Sequence, residues 1–125
     1  MQQRGLDADS LSAGIEQGSV VLLTLHSPRE KIVGVLLRLA PAGVELRCVA
    51  LESLEAMARQ VRAGEAAMVS TAFFPMLRVE RMELDEPAGE LPSLAQSFEA
   101  NAGRTLREVF SSAQVSNNSV TGPSR

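Results

Sequence analysis

The chain has no tryptophan and no tyrosine, and it holds a single cysteine, a single histidine and a single lysine among its twelve basic residues. Each scarcity narrows what the protein can be. The lone Cys48 forms no internal disulfide, and one Cys with one His (His26) falls short of the Cys/His set that a structural zinc requires. Four Phe make up the whole aromatic complement, so the rings on which single-strand binders stack bases are few. The net charge of −3 is spread along the chain without a block of one sign, and the concentrated basic stripe of a nucleic-acid binder is missing. No apolar run approaches the length of a membrane span. The opening MQQRGLDADSLSAG has acidic residues and no apolar core, which predicts no secretory leader, a reducing compartment and a cytoplasmic protein without membrane contact. On that reading the glycosylation tripeptide Asn117-Asn118-Ser119 is coincidental.

What the chain does have is 125 residues at 45% hydrophobic, enough for one domain that buries roughly two thirds of the surface its unfolded form exposes. The pattern divides into a flexible N-terminal segment (residues 1–17), a single folded domain (residues 18–110) and a polar tail (residues 111–125). The tail has too few large apolar groups to fold, and it is expected to be disordered.

Three β segments come first: SVVLLTL (19–25), KIVGVLLRL (31–39) and GVELRCVAL (43–51). They are separated by HSPRE and APAG, both rich in turn chemistry, and predict a three-stranded antiparallel meander. Val21, Leu23 and Leu25 share one face while Val20 and Leu22 share the other. In the second strand Ile32 and Leu36 oppose Val33, Val35 and Leu37. A sheet with one wet face would alternate apolar with polar, so both faces must be covered. Gly34 lies inside the second strand, where glycine is tolerated if the strand bends or another backbone comes close.

Helical spacing follows. Leu51, Leu54, Met57 and Val61 recur on one face, with Ser53 as the expected N-cap and Gly64 past the C-terminus. The chain then returns to β in MVSTAFF (68–74) and RVERMEL (78–84). Between them the apolar parity slips, and Pro75 cannot donate to a ladder, so FP marks a corner between two strands. Beyond it, Ser93 to Gln96 and Thr105 to Glu108 form capping boxes opening two short helices, the first closed by Gly103. Leu106, Val109 and Phe110 need a partner surface, either the outer face of the sheet or another subunit.

The order of strand, turn, bent strand with glycine, strand, then strand, Pro-containing corner and last strand resembles the Sm-like small-barrel fold. The likeness rests on VVLLTLHSPREKIVGVLLRLAPAGVEL and FFPMLRVERMEL. It implies a mainly β (α+β) domain: a five-stranded antiparallel Sm-like small barrel with an inserted helix and C-terminal helices. It also implies ring-shaped homo-oligomers in which the last two strands pair with neighbouring subunits, often with RNA at the ring, and Gly34 matches the bending glycine. The family's RNA-contacting loops have no counterpart here. Ala40, Pro41, Ala42 and Gly43 stand in place of the acidic and Asn-containing loop, and Phe74 and Pro75 replace the basic residue before the final strand. The text is also similar to small bacterial proteins of no assigned activity.

No catalytic pattern emerges. His26 and Ser27 are neighbours in a turn, which does not orient a base on a nucleophile, and no acid is placed beside them. Cys48 shares parity with Val44 and Leu46 and reads as an inert core thiol. Glu80, Glu83, Asp85 and Glu86 are interleaved with Arg78 and Arg81, which favours surface ion pairs over a metal site. The sequence therefore points to a non-enzymatic, self-associating interaction module, with no cofactor or metal. The first alternative is an Sm-like RNA binder that contacts phosphates through Arg29, Lys31, Arg78 and Arg81. The second is a small-molecule site at a subunit junction, near His26 or Cys48.

Overall fold

The computed structural model describes residues 14–112, so the expectations for most of the N-terminal segment and nearly all of the tail lie outside the described residues. Five strands form one antiparallel sheet: β1 (Val20–Leu25), β2 (Glu30–Ala40), β3 (Gly43–Ala50), β4 (Ser70–Pro75) and β5 (Val79–Leu84). Their order across the sheet is β4-β3-β2-β1-β5. The β-branched and leucine-rich segments pair where turn residues let them fold back: Leu23 faces Ile32, and Leu36 faces Leu46. The described residues also form three α-helices: α1 (Leu54–Arg62) is inserted between β3 and β4, and α2 (Leu94–Ala102) and α3 (residues 106–112) follow β5.

Both faces of the sheet carry a buried core at its centre, as the unbroken apolar text of β1 and β2 requires. Val20 and Val33 on one face are covered by the helices, through Leu54, Met57, Phe98 and Phe110. The last helix thus packs on its own sheet. Val21, Leu23, Leu25, Leu36, Leu46 and Cys48 make a second core on the other face, and every partner packed against it is a strand residue except Ile15. Three features bend the sheet around that core. A Cβ on Gly34 would collide with the carbonyl oxygen of Arg47 and lie 2.7 Å from Cys48 Cβ, so only glycine allows β2 and β3 to approach this closely. Register shifts between Leu36 and Arg38 and between Thr24 and Leu25 supply two bulges, which bend a strand and increase its twist.

The bend does not close the sheet. Among the described residues β4 pairs with β3 and β5 with β1, and no ladder joins β4 to β5. The expected barrel is therefore an open five-stranded sheet with helices on one face, because its two end strands are not hydrogen-bonded to each other. FP is a corner: β4 ends at Pro75, a 3-10 turn spans Met76–Arg78, and Met76 N–H donates to the Ala42 carbonyl at 2.9 Å, fastening the corner to the β2–β3 turn.

The helix ends follow their chemistry with one difference. Ser53 holds the N-cap position of α1 as expected, but the chain from Leu51 to Ser53 is already a 3-10 turn, so Ser53 has helical dihedrals and its side chain makes no cap bond. Ser93 and Gln96 form the full capping box of α2, which ends at a left-handed Gly103. Thr105 and Glu108 exchange the same reciprocal bonds at α3, 3.1 and 3.3 Å.

Candidate functional site

The four cations named from the sequence gather at one end of the sheet. Lys31 and Arg81 both pair with Thr24, one from each side, so all three residues lie on one face across β2, β1 and β5. Arg29 and Arg78 flank the β1–β2 hairpin at the same end. Carboxylates are interleaved with them: Arg29 meets Glu80 at 3.5 Å, Arg78 meets Glu30 at 3.7 Å and Arg81 meets Glu83 at 3.3 Å. Arg78 is committed further. Its Nε and Nη2 donate to the carbonyls of His26 and Pro28 at 2.9 and 3.0 Å, and His26 N–H donates back to the Arg78 carbonyl. Arg78 is thus a clamp on the hairpin, and among the described residues Lys31 alone of the four makes no ion pair. A patch so compensated presents little net field to a polyanion.

An open cleft of about 560 Å³ lies beside this end, where Arg29 and Lys31 share the lining with Glu30, Glu52 and Leu51. A second groove of about 310 Å³ runs between α1 and α2 over Leu54, Ala58 and Phe98. Neither is lined by His26 or Cys48. His26 is exposed, with its Nδ1 3.2 Å from Ser27 Oγ in the turn. Cys48 is buried in the second core, and burial pushes its thiol up to about 11 against a smaller opposing pull from Arg47. At neutral pH that sulfur is a protonated, enclosed thiol, the form that neither attacks nor ligates. Among the described residues no three His, Cys, Asp or Glu side chains converge as a metal site. None of the helices there is long and apolar enough to cross a membrane.

Two polar side chains matter that sequence reasoning passed over. Arg47, alternating with Leu46 and Cys48, points to the helix-covered face and is only 5% exposed. Its guanidinium donates to Thr71 Oγ1 at 2.8 Å and to the Phe110 carbonyl at 3.1 Å, while its Nε is buried without a partner. Desolvation pulls its pKa below the ordinary arginine range. A cation near the last turn of α3 also complements that helix's dipole. The sequence signal was present: an arginine directly between the apolar Leu46 and Cys48 inside a strand. Asp85 was grouped with the surface carboxylates, yet its two oxygens accept from the N–H groups of Leu94 and Ala95 at 2.8 and 2.9 Å, so the end of β5 caps α2 across the intervening loop.

The two end strands of the sheet, which have no outer neighbour among the described residues, have opposite character. β5 reads VERMEL, and Glu80, Arg81 and Glu83 are all ion-paired. β4 reads STAFFP and has no charge. Around β4 and its corner lie the exposed apolar side chains Phe73 (53%) and Leu77 (88%), together with Met76. The Phe73 ring lies over the backbone of Gly43, whose added Cβ would come within 2.6 Å of Phe73 Cζ, so the ring is held in place on the surface. Comparison with protein families, curated proteins and solved structures finds no match to this chain.

Proposed function

We propose that the protein is a non-enzymatic interaction module that associates with further copies of itself through the edge of its sheet. The observation that carries the reading is the uncharged β4 edge ending in exposed Phe73 and Leu77. A sheet edge with unpaired backbone groups and no charge to guard it is a template for strand addition, and an apolar cluster beside it supplies area for a protein contact. The bend at Gly34 and the corner after Pro75 support the Sm-like small-barrel resemblance, and with it an assembly built from end strands. On this reading the protein acts as a scaffold in the cytoplasm, with no reaction of its own.

The test is size-exclusion chromatography with light scattering on untagged protein, with full ultraviolet spectra recorded across the peak. With no Trp or Tyr, the chain contributes almost nothing at 280 nm. A defined oligomer with a bare Phe spectrum is expected. A strong 260 nm band in the peak would instead favour the RNA-binding alternative, and a monomer at all working concentrations would overturn self-association.

A further inference from the structure

The unequal edges lead to a specific assembly. We infer that the partner on β4 is the β4 strand of a second copy, joined antiparallel about a two-fold axis to give a continuous ten-stranded sheet. This rests on the self-association reading above and departs from the ring that the Sm-like resemblance implies, in which β4 of one subunit meets β5 of the next.

The argument is one of matching surfaces. Pairing β4 with β5 would set an uncharged strand against Glu80, Arg81 and Glu83. Their ion pairs with Arg29 and with each other are solvent-exposed, and enclosing them beside Phe73 would strip water from charges that gain no new partner. Charged side chains along an edge are also the usual guard against strand addition, and here only β5 has them. Pairing β4 with β4 sets Ser, Thr, Ala and Phe against the same residues. Opposite residues of antiparallel strands point to one face, so a two-fold axis perpendicular to the sheet brings Thr71 and Phe73 of both copies to the same side. The exposed Phe73 rings, each seated over its own Gly43, then stand on the same side of the joined sheet, and the corner side chains Met76 and Leu77 extend the apolar surface at both ends of the contact. An isologous contact of this kind closes on itself at two copies and leaves both β5 edges free. Pro75 has no N–H to offer, which fits its place as the limit of the paired segment.

Amide hydrogen exchange on the full-length chain at low and high concentration separates the two arrangements. The expected result is that slowing of exchange with concentration is confined to residues 70–74, that β5 amides are unaffected, and that the mass reaches twice 13.4 kDa and no more. Phe73→Lys is expected to weaken the dimer at least about tenfold, and Arg81→Ala to leave it unchanged. Because Phe73 rests on Gly43, its variant is checked by circular dichroism, and the wild-type exchange pattern decides the question even if that variant unfolds. Protection of β5 together with β4, or a mass beyond two copies, would overturn the two-fold arrangement and keep self-association. A monomer with no concentration dependence would overturn both, and a dimer with unprotected β4 amides would overturn this inference alone.

Discussion

β4 and β5 are both end strands, six residues long, each with one hydrogen-bonded neighbour among the described residues, yet they are finished differently. β5 is tied into the molecule by polar contacts along its length and at both ends: Arg78 clamps the hairpin, Glu80 and Glu83 pair with Arg29 and Arg81, and Asp85 accepts from the first N–H groups of α2. β4 is anchored only from within. Arg47 reaches from β3 to Thr71, and Phe74 packs into the second core, while Phe73 and Leu77 face solvent. The difference shows how one short sheet can guard one edge and leave the other open to a partner.

The contrast can be broken first at the bend that sets both edges. Gly34→Ala forces a Cβ into the Arg47 carbonyl, and a loss of about 3 kcal/mol or outright unfolding is expected in urea denaturation. Wild-type stability in that variant would mean that β2 and β3 do not meet as closely as described. The internal anchor of β4 comes next. Arg47→Ala removes the bonds to Thr71 and Phe110 and leaves a cavity, at a cost of roughly 2–4 kcal/mol, whereas Arg47→Met fills the space without a buried unpaired cation and is expected to lose less than half as much. Equal losses would show that the charge itself holds the strand. On the other side, Asp85→Ala strips the acceptors from the Leu94 and Ala95 N–H groups while the Ser93 capping box remains, and a drop of about 1–2 kcal/mol is expected in thermal unfolding, with β5 itself retained. The smallest effect belongs to the surface charges: Glu83→Gln frees Arg81 and is expected to change stability by less than about 0.5 kcal/mol.

Much of the fold was legible because strand order depends on short-range signals. HSPRE and APAG each mark a reversal, FP marks a corner between two strands that run in the same direction, and Gly34 inside an apolar strand pointed to the close approach that the structure shows. Closure of the sheet was not legible. β4 and β5 are only a three-residue turn apart in sequence but lie at opposite ends of the sheet, and whether they meet depends on how far the strands between them bend, which no local pattern encodes. The same limit explains Arg47 and Asp85: each bonds to a residue brought near only by packing, Phe110 in one case and Leu94 in the other. Ser53 makes no side-chain cap bond for a local reason, since the preceding 3-10 turn had already placed it in helical dihedrals. Surface ion pairs among the interleaved arginines and carboxylates were expected, and Arg81 and Glu83 do pair within β5, but the pairing of Arg29 with Glu80 and of Arg78 with Glu30 appears only when β5 is laid beside β1.

The most direct test of the account is the light-scattering mass of the wild-type chain and of Leu77→Lys at matched concentrations. Leu77 is 88% exposed at the corner, so its replacement leaves the fold intact while placing a charge in the contact. The account predicts an oligomer for the wild type and a shift toward the 13.4 kDa monomer for the variant. Identical masses for the two proteins would contradict it.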